Sequence, residues 1–251
     1  MENNSKQNNS SSWFTDDERD KEYHLGQFKR TYRSTEVFTE KIKSYIQAST
    51  SICDMACGCG ANTAYLAQMF PEISFTGIDF NPYDIKIGSE IIKSDLKLKN
   101  AALKNGDWYH PSQEDINVYD GIVSFQTLSW LPGYKEEIAC LAKLNPKWIA
   151  ISSLFFEGQI DFDIKIHEYD RKDSDGSRDS YYNIYSLPRV REEFDKNGYH
   201  NFEFFKFDID IDIPQLHPNH MGTYTQKTED GKRLQISGPL LMPWYFIVAS
   251  K

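Results

Sequence analysis

What this sequence lacks narrows the possibilities first. It holds four cysteines in 251 residues, at Cys53, Cys57, Cys59 and Cys140, with no C-x-x-C pair among them. Neither a disulfide framework nor a cysteine zinc site is therefore expected, and a reducing compartment, the cytoplasm, follows as the expected location. Long apolar runs are also missing. The longest, over 240–249, is half of the ~20 residues a membrane span needs and is broken by Pro243. Residues 1–12 are rich in Asn and Ser, without the apolar centre of a targeting peptide, and are expected to form a disordered tail. Positive charge is scarce: 28 Lys and Arg against 37 Asp and Glu leave a formal net charge of -9. An acidic surface argues against nucleic acid or acidic lipid as the partner. No repeat and no Pro/Gly/Ser-rich linker divides the rest of the chain.

What is present suffices to fold, with 39% hydrophobic and 14% aromatic residues. Residues 13–48 carry a helical pattern and read as an N-terminal helical cap. The main domain follows over 49–251, with long insertions at 155–185 and 214–242. Apolar runs at 51–56, 73–78, 101–103, 119–125 and 148–154 read as strands, separated by helical patterns at 63–70, 83–95 and 134–144. Strand and helix in alternation predict an α/β fold with a doubly wound, mostly parallel sheet covered by helices on both faces. Two later strands, near 202–211 and at 244–249, predict an antiparallel closure. The insertions have strand-like pieces and a turn at Glu229-Asp-Gly231, and are expected to form a β-rich lid.

The most informative stretch is Ile52-Cys-Asp-Met-Ala-Cys-Gly-Cys-Gly-Ala-Asn-Thr63, where a strand runs into a helix through Gly58 and Gly60. Glycines there let a ligand approach the backbone, and a helix start offers unpaired N–H groups. Nineteen positions after Gly60 stands Asp79, the spacing at which an acid grips ribose hydroxyls in nucleotide-binding sheets. A dinucleotide fingerprint would need a glycine where this chain has Thr63, and Asp54 just ahead would repel a diphosphate. A cationic ligand fits better, which leaves an NAD(P)-dependent oxidoreductase as the second choice.

In these residues the sequence resembles the class I S-adenosylmethionine-dependent methyltransferases. Asp54-Met-Ala56-Cys-Gly58-Cys-Gly60 is similar to their first motif, with Ala56 in place of a glycine. Gly77-Ile-Asp-Phe-Asn81, Gly106-Asp-Trp108 and Tyr119-Asp-Gly-Ile-Val-Ser-Phe125 follow in the order of the next three. The likeness covers about residues 40–155 and the last two strands, and it implies a seven-stranded sheet with an antiparallel C-terminal strand. It also implies S-adenosylmethionine as cofactor, with Ala56, Gly58 and Gly60 against its methionine part and Asp54 orienting the ammonium. Asp79 would accept from the ribose hydroxyls beside Phe80. Asp107 and Trp108 would hold adenine, Arg33 would pair with the carboxylate, and Gln126 would stand at the methyl group.

Candidate catalytic residues are His24, Gln126, His167 and His220. Trp130, Tyr181, Tyr185, His217 and Arg233 are the candidates for touching substrate, as an aromatic wall with a few polar points. His217 and His220 lack an acidic third ligand at a recognised spacing, so no metal is expected. The expected reaction is methyl transfer to a small polar metabolite, with oxygen favoured as acceptor and a sugar or nucleotide-linked precursor in view. A non-catalytic module that senses the cofactor is the remaining alternative, and the oligomeric state is open.

Overall fold

The computed structural model describes residues 18–169, 178–216, 218–219 and 221–251. Its helical start is three helices: α1 (Glu18–Lys29), α2 (Arg33–Lys41) and α3 (Lys43–Gln47). The breaks fall at the extended Tyr32 and at Ile42, which leaves helical geometry while staying fully buried. A strand–helix alternation follows: β1 (Ser51–Met55), α4 (Ala61–Met69), β2 (Ser74–Asp79), α5 (Pro82–Glu90), β3 (Ala101–Asn105), β4 (Gly121–Phe125), α6 (Lys135–Lys143) and β5 (Trp148–Phe156). The rest of the chain runs β6 (Lys165–Glu168), β7 (Arg178–Tyr181), β8 (Tyr185–Ser186), α7 (Leu187–Lys196), β9 (Asn201–Lys206), β10 (Thr223–Lys227), β11 (Arg233–Ser237), β12 (Leu240–Leu241) and β13 (Trp244–Ser250).

The central sheet has the order β3-β2-β1-β4-β5-β13-β9, with short β8 beside β5. Strands β1 to β5 are mutually parallel, and β13 runs antiparallel to both its neighbours, β5 and β9. This is the doubly wound, mostly parallel sheet that the alternation predicts. Its central strand β4, Gly-Ile-Val-Ser-Phe, is buried along its whole length because helices cover both faces. One face packs Phe38, Ile42 and Ile46 from the N-terminal helices and Leu66 from α4 onto Ile52, Val123 and Phe246. The other packs Ile138 and Leu141 of α6 and Val190 and Phe194 of α7 onto Cys53, Ile122 and Ile149. Helix α7 shows how sequence sets this up: Leu187, Val190 and Phe194 fall on one stripe, and Ser186 caps the start by accepting from the Arg189 N–H.

The insertions form two small antiparallel units, the β6–β7 hairpin and the β10–β11–β12 meander. The turn at Glu229-Asp-Gly231 joins β10 to β11, closed by Thr228 N–H to the Lys232 carbonyl. Among the described residues no helix is long and apolar enough to cross a membrane. The winding direction reverses between β1 and β4, and in open parallel sheets the crevice outside the carboxyl ends at such a point is where ligands bind.

Candidate functional site

Strand β1 ends in a turn whose backbone is held in the left-handed region at Ala56, Gly58 and Gly60 (φ 60°, 55° and 78°). Gly60 caps α4 in that conformation. Ala56 adopts the same geometry with a β-carbon in place, which is a strained conformation for a non-glycine residue. The turn is fastened from beneath. Ala56 and Cys57 N–H both donate to the Ile78 carbonyl, and the Gly58 N–H donates to Asp79 Oδ2 at 2.8 Å. Gly88 of α5 lies so close that a β-carbon there would come within 1.9 Å of the Cys59 carbonyl oxygen.

Asp54 sits in β1 just before this turn, 1% exposed. Its Oδ2 accepts from the Thr63 hydroxyl at 2.6 Å, whereas Oδ1 is buried with no hydrogen-bond partner. Burial therefore pushes the Asp54 carboxyl up to about 7, only partly offset by the Thr63 hydrogen bond. Such an orphaned carboxylate oxygen is costly unless a donor or a cation reaches it. Thr63 thus does more than break a dinucleotide fingerprint: its hydroxyl orients the acid so that one oxygen is left over.

Asp79 ends β2, nearly buried, and accepts the Gly58 N–H on one oxygen and the Asn81 N–H on the other. Desolvation raises its pKa in spite of both donors. Asp107 follows β3, tied to Asp79 through Gly106 N–H to the Asp79 carbonyl, and its own carboxylate meets the Tyr109 N–H and His110. Three acids thus stand along the carboxyl ends of three adjacent strands. Burial also pushes the Cys57 and Cys59 thiols up, so neither is a thiolate at neutral pH.

Residues 46–155 match a family described as a methyltransferase domain. Over this segment, from the end of α3 into β5, the chain is similar to that methyltransferase family. Solved structures share the fold of much of the chain. The YcgJ protein of Bacillus subtilis is 12% identical, with 88% of this chain and 99% of that one covered at a TM-score of 0.55. An O-methyltransferase from a polyketide synthase multienzyme of Brevibacillus brevis, in complex with S-adenosyl-L-homocysteine, is 14% identical over 74% and 59% at 0.51. The [4+2]-cyclase SpnF is equally similar, 15% identical over 69% and 60% at 0.51, so the fold by itself does not decide the reaction. An uncharacterized protein of Synechocystis sp. is 30% identical over 91 residues, 34% of this chain, and the chain spans 17% of that protein's length.

Around the glycine turn the structure redistributes several of the residues expected to act there. Arg33 is committed elsewhere: its guanidinium makes three N–H contacts of 2.8–3.1 Å to Asp210 and one to Glu36, so it is not held for a cofactor carboxylate. Trp108 is packed into the core under α6, where Nε1 donates to the Glu137 carbonyl at 2.9 Å, rather than lying open along a ligand ring. Tyr185 is likewise core, 1% exposed with its hydroxyl on the Leu131 carbonyl. His167 is exposed on β6, in the hairpin and not at the end of β4. Arg233 donates Nε to Asp212 at 2.7 Å. Tyr181 falls on the face of β7 opposite to the buried Ser180 and Tyr182, because side chains alternate along a strand. His217 and His220 lie outside the described residues.

Others stay at the crevice. Phe80 is half-buried between Asp79 and Asn81, its carbonyl accepting from Asn105. Gln126 follows β4 with φ 61°, and its Nε2 donates to Ser34 Oγ at 2.8 Å, stitching α2 to the end of the strand. Trp130 lies with its ring 4.5 Å from that of Tyr182. His24, on α1, is set against the glycine turn, with Nε2 3.8 Å from Asp84. Its position over Gly58 has no signal in the sequence, since the contact joins segments far apart in the chain. Asp84, which accepts from Asn81 and from Cys59 of the glycine turn, carries no such signal either, because its link to the turn is a tertiary contact. Among the described residues no group of three or more His, Cys, Asp or Glu side chains is placed to hold a metal ion.

Proposed function

We propose that this chain is an enzyme that methylates a small polar metabolite, binding S-adenosylmethionine across the carboxyl ends of β1, β2 and β3. The reading rests on the orphaned Oδ1 of Asp54, a buried acceptor at the mouth of a glycine turn, which is what an ammonium group requires. The rest of the crevice fits the same cofactor. The left-handed turn at Gly58 and Gly60 has no β-carbon of its own in the way of a ligand, Asp79 retains a second lone pair on each oxygen for ribose hydroxyls, and Asp107 stands half exposed beyond β3 for a ring amino group.

When bound, the cofactor supplies a methyl group already activated on a sulfonium. The chain's own task is then alignment and exclusion of water, which can provide a large part of the acceleration in an in-line displacement. Gln126, strained and tied to Ser34, fixes the end of β4 where the acceptor would stand. His24 serves this reading as part of a cap formed by α1 and closing on the glycine turn, rather than as the general base. Oxygen is the favoured acceptor in this reading.

Calorimetric titration with S-adenosylmethionine, S-adenosylhomocysteine and NADH tests the cofactor. Binding of the first two and not the third is expected, and tight NADH binding would reverse the reading. Incubation with isotopically labelled methyl donor and cell extract, followed by mass spectrometry, then identifies the acceptor.

A further inference from the structure

Helix α1 brings His24 into a closed ring of contacts around the glycine turn. The ring starts at Gly58, whose N–H donates to Asp79 Oδ2, while Asp79 Oδ1 accepts the Asn81 N–H. Asn81 Nδ2 in turn donates to Asp84 Oδ2 at 2.9 Å. His24 Nε2 stands 3.8 Å from that same oxygen, and Nδ1 and Cε1 of the imidazole come back against Gly58. Asp84 itself is 7% exposed, and its other oxygen accepts from the Cys59 thiol at 3.2 Å. A nearly buried acid therefore stands behind the imidazole, tied to the glycine turn through Cys59 and to the cap of α5 through Asn81.

The charges at the turn create a specific need. Asp54, Asp79 and Asp84 are all nearly buried, and each acts electrostatically on the next. The amino-acid end of S-adenosylmethionine carries an ammonium, which Asp54 Oδ1 answers, and a carboxylate, which three nearby acids repel. Arg33, the cation expected to meet that carboxylate, is held by Asp210 and Glu36 instead. His24 is placed to take over. Its side chain is 22% exposed, its Nε2 faces Asp84, and its Nδ1 lies at Gly58. With one carboxylate behind it and another in front, the doubly protonated ring can donate from both nitrogens. Its charge also acts on Asp79, which places it on the ligand side of the turn as well as on the Asp84 side.

We propose that His24, backed by Asp84, receives the carboxylate of the cofactor in the place expected of Arg33. Asp84 is then a positioning residue, which acts on the ligand only through the imidazole. The proposal deepens the methyltransferase reading and rests on it. It makes α1 part of the binding site rather than a cover alone.

The test is calorimetry on the full chain with three probes. These are S-adenosylmethionine, its decarboxylated analogue, which keeps the sulfonium and the ammonium, and methylthioadenosine, which lacks the amino-acid end. The wild-type chain should bind S-adenosylmethionine about tenfold tighter than the decarboxylated analogue, the worth of one charge-assisted hydrogen bond. His24→Ala should weaken S-adenosylmethionine by about the same factor and leave the other two probes within about twofold. Asp84→Asn should reduce the preference for the carboxylate severalfold in the same direction. A merely structural role for His24 or Asp84 would weaken all three probes together. Equal binding of S-adenosylmethionine and its decarboxylated analogue by the wild-type chain overturns the proposal. So does a preference that survives His24→Ala, an equal loss for all three probes, or tighter binding of all three, which would mean that the imidazole blocks the turn. A wild-type chain that binds none of the probes instead counts against the methyltransferase reading.

Discussion

The imidazole of His24 stands directly against Gly58: a β-carbon built on that glycine would lie 2.9 Å from both Nδ1 and Cε1 of the ring. The next residue back, Tyr23, turns its hydroxyl toward Tyr32 and Tyr182 although its ring is half exposed. Two consecutive residues of α1 therefore face the glycine turn and a pair of tyrosines, Tyr32 and Tyr182. His24→Ala should loosen the cap and speed exchange of S-adenosylhomocysteine severalfold, as lid openings commonly limit release. Stopped-flow displacement measures this, and an unchanged rate would show that α1 does not gate the crevice.

Asp54 should make cofactor binding depend on pH. Its folded pKa of about 7 is above the ordinary value, so the free protein favours the protonated acid, and the stability this confers fades as pH rises from about 4 through 7. A bound ammonium reverses the preference. If only the ionised acid binds, affinity should fall about tenfold for each unit below pH 7, with a proton released on binding. Calorimetry at pH 5.5 and 7.5 in two buffers reads both effects. Asp54→Asn should flatten the profile and gain stability relative to wild type as pH rises.

Asp79 holds its own loop as well as facing the ligand. Replacing it with Asn leaves one of two buried N–H groups, those of Gly58 and Asn81, facing an amide donor. A loss of about 1–3 kcal/mol in stability is expected, a drop of several degrees in Tm, together with more than tenfold weaker cofactor binding. Thermal unfolding and calorimetry on one preparation separate the two effects.

Ala56 pays for its left-handed backbone. Ala56→Gly relieves a β-carbon clash worth about 1–2 kcal/mol but frees the unfolded chain by about 0.5–1 kcal/mol, so a net gain of up to about 1.5 kcal/mol is expected. Urea unfolding would detect it. A loss of stability would mean that the Ala56 methyl packs productively on the turn.

Arg33 and Asp210 form an exposed, multiply bonded pair. A double-mutant cycle should give a coupling below about 1 kcal/mol, and Arg33→Ala should leave S-adenosylmethionine affinity within twofold of wild type. A larger loss of affinity would return Arg33 to the cofactor.

The glycine turn and its acids were legible in the chain because they are local. Positive φ is a demand on single residues, and an acid at the end of each successive strand has a spacing set by the βα unit. Strand identities followed from short apolar runs for the same reason. Trp108 and Tyr185 misled because an aromatic side chain after a strand reads alike whether it faces a ligand or the core. Only the Glu137 and Leu131 carbonyls, supplied by other segments, show that both point inward.

By itself, then, the sequence determined the α/β winding, the left-handed turn and the order of Asp54, Asp79 and Asp107, since each follows from periodicity or from the conformational limits of a few neighbouring residues. Tertiary structure alone decided which oxygen of Asp54 is left without a partner, that His24 closes on Gly58, and that Arg33 belongs to Asp210. Those outcomes depend on which of many distant groups is packed within hydrogen-bonding reach, and no local pattern encodes that.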